Sequence, residues 1–316
     1  MMVRVEQLVK RYGSLLALDY FNLEVEEGEI FGLLGPNGSG KTTAILCMLA
    51  LLHYSKGSVY LFDQKMTPDA YDLKRNIGIV TQNVAVFDEL TVRENIGYFC
   101  GLYVQDKKQR RALVDEAIDF VELQAFSRFY PKKLSSGLLR RLNIACGIAH
   151  RPKLIFMDEP TVGVDPQSRN KILEGILTLN RQGATILYTS HYMEEVEQIC
   201  SRVAIMDNGR VIASGTCDEL KDMIRTGEKI TIEVSNLNPE IASDIARLPG
   251  ILSAKIQNQH LYIVSERKRN TLDLILDDLK NHQIDYGELF CELPTLNDVF
   301  LEITGKQLRD NGREGS

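Results

Sequence analysis

Three short stretches of the chain carry residue types at spacings that suit phosphate chemistry. The first, "GPNGSGKT" from Gly35 to Thr42, fits G-x-x-x-x-G-K-[ST] and lies between an apolar strand pattern and an apolar helix pattern. Its glycines let the backbone wrap a phosphate chain with successive N–H groups pointing inward over a helix start. Gly35, Asn37, Gly38, Ser39, Gly40, Lys41, Thr42 and Thr43 are the expected cradle, with Lys41 on the outer phosphates and Thr42 on Mg²⁺. The second stretch, "LIFMDE", ends a buried strand with two carboxylates: Asp158 would hold the metal and Glu159 would polarise a water. The third, "KKLSSGLLRRLNIACGIAH", sets Ser135, Ser136 and Gly137 before a helical pattern whose Leu138, Leu142, Ala145 and Ala149 share one face. Ser135 there is either a helix cap or part of an anion site, since the same unpaired N–H groups serve both.

Three single residues also suit a nucleotide site. Gln82 ends a buried strand and offers an amide to Mg²⁺ and water; a surface glutamine would look the same. His191, in "LYTSHYMEE", ends another strand, as a structural histidine or as a contact to a terminal phosphate. Tyr12, in "KRYG", offers a ring for stacking or for packing.

These residues need elements that bring them together. "FNLEVEEGE" alternates Phe21, Leu23 and Val25 with polar residues, the pattern of a half-buried antiparallel strand. "EIFGLLG", "NIGIVTQ", "LIFMDE", "ATILYTS" and "RVAIMDNG" are apolar on both faces, as parallel strands covered by helices are. Their spacing among helical patterns predicts a three-layer α/β core, with a helical insertion from about Asn83 to Arg151. After "GRVIASGTCDEL" the texture changes to a small α+β domain over about residues 228–305. It holds strands at "KITIEVSN" and Leu261 to Val264, and an amphipathic helix on Leu272, Ile275, Leu276 and Leu279. Its last helix starts at Thr295, with Asp298 at capping-box spacing and Gly305 to end it. The polar tail 306–316 is expected to be disordered.

Bulk properties narrow the class. A net charge of −6 and the lack of nucleic-acid motifs point away from DNA or RNA as partner. "AILCMLALL" is far short of the roughly 20 apolar residues a membrane span needs. The opening "MMVRVEQLVKRYG" alternates like a strand and lacks signal-peptide features, so a cytosolic chain is expected. The cysteines, without C-x-x-C spacing and mostly in apolar surroundings, read as buried thiols rather than a zinc site.

The order Tyr12, "GPNGSGKT", Gln82, "LSSGL", "LIFMDEPTVGVD" and His191 resembles the ATP-binding subunit of ABC transporters over about Val3 to Leu220. The resemblance implies a P-loop ATPase core with an antiparallel β subdomain and a helical subdomain, within a domain of about residues 1–222. It implies ATP and Mg²⁺ as cofactors. Tyr12 would lie in the adenine-stacking A-loop, Gln82 in the Q-loop, Asp165 in the D-loop and His191 in the H-switch; Gln82, Glu159 and His191 would serve catalysis, and Thr42, Gln82 and Asp158 the metal. Leu134 to Leu138 would be the signature motif, closing over the nucleotide of a second, head-to-tail subunit, with Ser135, Ser136 and Gly137 as ligands in trans.

The usual L-S-G-G-Q is altered at Ser136 and Leu138. Serine keeps the backbone N–H but adds a hydroxymethyl group and narrows the backbone range. "PTLNDVFLEITGK" behind an α+β domain resembles the extension of bacterial subunits that serve separately encoded exporters of drugs, antimicrobial peptides or ions. That implies an integral membrane permease as partner and a peripheral place on the inner face of the cell membrane. The competing reading is an ATP-dependent clamp or resistance factor whose slow hydrolysis drives no transport. An ABC protein acting on DNA or ribosomes would typically carry coiled coils, zinc sites or two cassettes, none of which this sequence shows.

Overall fold

The computed structural model describes residues 1–234, 239–266 and 271–305, so the tail expected to be disordered lies outside the described residues. The chain divides into two compact units, one ending at Thr216 and the other starting at Cys217.

In the first unit, two sheets share one core. β1 (Val3–Tyr12), β2 (Leu15–Val25), β4 (Lys56–Leu61) and β5 (Gln64–Lys65) form an antiparallel sheet in the order β2-β1-β4-β5. β2 shows the expected alternation, with Phe21, Leu23 and Val25 buried between exposed Asn22 and Glu24. The second sheet has the order β10-β9-β3-β8-β7-β6. Its strands are β3 (Ile30–Leu34), β6 (Ile77–Val80), β7 (Leu154–Asp158), β8 (Thr185–Ser190), β9 (Arg202–Asp207) and β10 (Arg210–Gly215). All are parallel to their neighbours except β10, which pairs antiparallel with β9. β3, β7 and β8 are buried at every residue, as strands covered on both faces must be. α1 (Lys41–Met48) sits between the sheets: its Ala44, Ile45 and Met48 pack in one cluster with Leu8 and Phe21 on one side and Phe31, Phe156 and Leu187 on the other.

α2 (Tyr71–Lys74) leads into β6, and the insertion that follows is helical: α3 (Val92–Gly101), α4 (Lys107–Phe120) and α5 (Ser136–Ile148). A Thr91–Glu94 capping box starts α3 and Asp106 caps α4. On α5, Leu142, Ala145 and Ala149 are buried and Leu138 is half-buried, the face read from the sequence. α6 (Pro166–Arg181) and α7 (Met193–Ile199) complete the layers. The three-layer core with its antiparallel sheet and helical insertion is as expected from the sequence.

The second unit opens with α8 (Cys217–Asp222), where the sequence had placed this segment with the first domain. α8 packs against the final helix α11 (Leu296–Thr304), and its Leu220 is fully buried. β11 (Thr226–Val234), β12 (Ile251–Gln257), β13 (His260–Glu266) and β14 (Tyr286–Glu292) form an antiparallel sheet in the order β12-β13-β11-β14. Ile230, Ile232, Leu261 and Ile263 on one face meet Ile275 and Leu279 of α10 (Leu272–Asn281) and Ile245 of α9 (Pro239–Ile245). Thr295 and Asp298 form the expected capping box, and Gly305 ends α11 in the left-handed region at φ 64°.

Of the six cysteines, Cys47, Cys100, Cys146 and Cys200 are buried; Cys217 is half-buried and Cys291 is exposed on β14, which the apolar-neighbour argument did not anticipate. Among the described residues no helix is long and apolar enough to cross a membrane.

Candidate nucleotide site

Strand order assembles the site. β3, β8 and β7 are neighbours, in register with Leu34 beside Ser190 and Thr189 beside Asp158, and β6 lies next to β7. Their C-terminal ends therefore place the glycine loop, Asp158, Glu159, His191 and Gln82 along one edge, where open α/β sheets bind ligands.

The loop turns directly into α1. Gly40, the N-cap of α1, has φ 109° and makes no side-chain cap, so the first N–H groups of the helix lack a capping side chain. A Cβ at Gly40 would also lie 2.7 Å from the Ala17 carbonyl oxygen, so the position excludes side chains twice over. Asn37 and Gly38 are exposed at the mouth of the loop, Thr43 is half-buried, and a Cβ at Gly35 would lie 2.3 Å from the Met206 carbonyl oxygen. The buried Ser39 hydroxyl has no hydrogen-bond partner. An open backbone cradle, a free hydroxyl and a helix start are what a polyphosphate needs.

Lys41 is buried, and its Nζ donates to the carbonyls of Gly35 (2.8 Å) and Pro36 (3.3 Å). The same Nζ pairs with Glu159 Oε1 at 3.1 Å. Glu159 Oε2 is 3.1 Å from His191 Nδ1, with Gln82 Nε2 a looser 3.5 Å away. Burial pushes the Glu159 carboxyl up, but the His191 hydrogen bond and the Lys41 charge outweigh it and hold the group below its usual value. Its backbone sits in the left-handed region at φ 47°, held by N–H contacts to the Thr189 carbonyl (3.2 Å) and Oγ1 (3.0 Å).

Beside it, Thr42 Oγ1 donates to Asp158 Oδ2 (2.7 Å) and Thr189 Oγ1 donates to Asp158 Oδ1 (2.7 Å). A threonine hydroxyl and a carboxylate side by side are hard oxygen donors that suit Mg²⁺. Thus Lys41, Thr42, Gln82, Asp158, Glu159 and His191 converge.

Among the described residues no hydrogen bond or ion pair joins Tyr12, Ser135, Ser136, Gly137 or Asp165 to this cluster. Tyr12 is 45 % exposed, with the Lys10 ammonium 4.7 Å from its ring centroid. Ser135 and Ser136 are exposed. Ser135 caps α5, accepting from the Leu138 N–H at 3.3 Å. Gly137 is buried against the start of α6, where a Cβ would lie 2.5 Å from Ser168 Oγ and 3.4 Å from Asp165 Oδ2. The glycine that this packing cannot lose is Gly137, whereas the serine that replaces a glycine at 136 keeps an exposed side chain. Asp165 caps α6 by accepting from the Ser168 N–H, a bond that holds its carboxyl below the usual value.

Two supporting residues carry no motif in the sequence. Thr189 holds the Asp158 carboxylate and the Glu159 backbone N–H, and its only signal was a hydroxyl inside an apolar strand. Arg140, buried on α5, donates to the carbonyls of Thr81 (3.1 Å), Gln82 (2.7 Å) and Val162 (3.3 Å). It ties α5 to the segment carrying Gln82 and to the loop that precedes Asp165.

A phosphate cradle after β3 and an acidic end on β7, with β8 between them in one parallel sheet, define a nucleotide-binding P-loop protein. Comparisons narrow the class. Residues 18–162 match the ABC transporter family, and residues 215–304 match the ATP-binding protein DrrA1-3-like, C-terminal domain. Linearmycin resistance ATP-binding protein LnrL of Bacillus subtilis (strain 168) is 34 % identical, over 98 % of this chain and 100 % of its own length. Daunorubicin resistance ATP-binding protein DrrA3 of Streptomyces coeruleorubidus is 32 % identical over 97 % of both. A solved dimer of an ATP-binding cassette in a post-hydrolysis state, bound to ADP and Pi, superposes with a TM-score of 0.63 at 28 % identity, covering 68 % of this chain and 98 % of that one. The chain belongs to the ATP-binding subunits of ABC transporters, a family of ATPases.

Proposed function

We propose that this chain is the Mg²⁺-dependent ATPase subunit of an exporter, working as a head-to-tail pair with a second copy of itself and powering a separately encoded permease. One observation carries the reading: the Glu159 carboxylate is held between Lys41 Nζ and His191 Nδ1, beside the Thr42–Asp158 pair. Bound Mg²⁺ and ATP supply the scissile phosphoanhydride and neutralise its charge. Lys41 then exchanges Glu159 and the loop carbonyls for the outer phosphates, which frees Glu159 to orient a water and accept its proton. His191 holds the carboxylate in place, Gln82, Thr42 and Asp158 offer oxygens to the metal, and Tyr12 offers its exposed ring to adenine. Gly35, Asn37, Gly38, Ser39, Gly40 and Thr43 complete the cradle.

Ser135, Ser136 and Gly137 contact the nucleotide of the partner copy, a role supported by the exposure of both serines and by the dimeric form of the solved relative. Phe87 and Tyr98, exposed and packed edge to face at 4.9 Å near the Gln82 segment, present an aromatic surface to a permease. Relatives named for linearmycin and daunorubicin resistance support a drug or antimicrobial cargo, and the permease partner would hold the subunit at the inner face of the membrane. We assign nucleotide work to the first unit and an accessory role to the second. The test is steady-state turnover of Mg-ATP with and without the reconstituted permease. Stimulation by the permease supports transport coupling; slow turnover that the permease leaves unchanged favours the clamp reading.

A further inference from the structure

Behind the catalytic cluster lies a buried carboxylate that the hydrolysis reading does not use. Glu195, on α7, is 3 % exposed. Its Oε2 accepts three hydroxyls: Thr161 Oγ1 at 2.8 Å, Tyr188 Oη at 2.7 Å and Ser190 Oγ at 3.1 Å. Its Oε1 faces Arg169 Nε at 3.2 Å, an ion pair rather than a directed hydrogen bond. With three hydroxyl donors on one oxygen and a guanidinium facing the other, the carboxylate is engaged on both sides.

The donors stand at telling positions. Thr161 is two residues beyond Glu159, at the start of the loop to Asp165. Ser190 immediately precedes His191, and its Oγ also accepts the Tyr192 N–H at 2.9 Å. Arg169 lies in the first turns of α6, the helix that Asp165 caps. Its guanidinium also sits 4.8 Å from the Tyr192 ring centroid, and that ring lies 4.1 Å from the His191 ring. One carboxylate thus clamps the chain on both sides of the 3.1 Å contact between Glu159 and His191, and links it to the helix start that packs on Gly137.

We infer that Glu195 is a positioning residue for hydrolysis, fixing His191 against Glu159 and coupling that pair through Thr161 and Arg169 to the Asp165 loop. The inference rests on the hydrolysis reading above. A shift of about 1 Å in a catalytic group costs on the order of 10²-fold in rate. Because Glu195 touches neither cradle nor metal residues, its loss falls on the chemical step and spares binding.

The experiment measures kcat and KM for Mg-ATP in wild type, Glu195→Ala, Glu195→Gln, His191→Ala and the double variant Glu195→Ala/His191→Ala. The expected result is a kcat about 10²-fold lower in Glu195→Ala, with KM within about threefold and partial recovery in Glu195→Gln. In the double variant Glu195→Ala should add little to His191→Ala, because both remove the same contact. A kcat within twofold of wild type, or full additivity with His191→Ala, overturns the inference. If Glu195→Ala does not fold, Glu195→Gln carries the same cycle. Should the wild type itself fail to turn over, the hydrolysis reading is at fault. The inference is then decided by the His191 ring resonance, assigned from its loss in His191→Ala. It moves in Glu195→Gln if the clamp is real, and an unmoved resonance refutes it.

Discussion

At the residue scale the account rests on Glu159. General-base catalysis contributes typically 10²- to 10⁴-fold, so Glu159→Gln should lower turnover by about that factor while leaving ATP binding intact in an equilibrium titration. The amide still fits beside Lys41 and His191, which separates loss of the base from loss of the site. Gly40 makes a complementary claim. Gly40→Ala brings a Cβ to 2.7 Å from the Ala17 carbonyl at a φ of 109°, so the loop must shift and nucleotide affinity should fall at least tenfold. Arg140 is structural in the same detailed way. Arg140→Leu removes this donor from the carbonyls of Gln82 and Val162 and leaves Thr81 with Asn143 alone, and denaturant unfolding should show a loss of about 1–3 kcal/mol.

At the element scale, α11 offers a clean test of local encoding. Asp298 accepts from the Thr295 N–H (2.9 Å) and pairs with Lys229 Nζ (2.6 Å). Burial raises its pKa, but the Lys229 and Thr295 bonds prevail and hold it below the ordinary 3.8. Because folding lowers this value, the stabilisation is complete above the unfolded carboxylate pKa and fades as pH falls through the lower folded one. Asp298→Ala should therefore cost about 1–2 kcal/mol at neutral pH, and the gap to wild type should close under acid unfolding conditions.

The capping box was legible because its residues are adjacent in sequence, and so were the strands buried on both faces, whose apolar runs have no other home. β12 and β14 were not legible. Their residues are mostly half-buried or exposed, so no alternation marks them, and pairing with β13 and β11 supplies what the pattern lacks. α8 was misplaced because nothing in "CDELKD" reveals that Leu220 packs toward a helix some 75 residues later, beginning at Leu296. The candidate site was legible as motifs, because cradle and strand-end carboxylates are local. Its support by Thr189, Arg140 and Glu195 depends on strand order and long-range contacts, which one sequence does not display.

At the scale of the whole molecule, two units share one chain, and the first holds every residue of the nucleotide cluster. Ser135 and Ser136 are exposed, and Ser135 is spent on its own helix cap. On the head-to-tail proposal, a single chain offers one half of each composite site and a second copy completes it. Within the chain, the position whose side-chain space is closed is Gly137, while Ser136 is exposed. The net charge of −6 gives the two copies no general attraction, so association should depend on bound nucleotide bridging the halves.

The most direct test is the mass in solution of Glu159→Gln protein with and without Mg-ATP. The mass should double on adding Mg-ATP, and the doubling should be abolished when Ser135→Arg is combined with Glu159→Gln. A protein that binds ATP yet stays monomeric, or a dimer that Ser135→Arg leaves intact, would contradict closure of the signature helix over a partner's nucleotide.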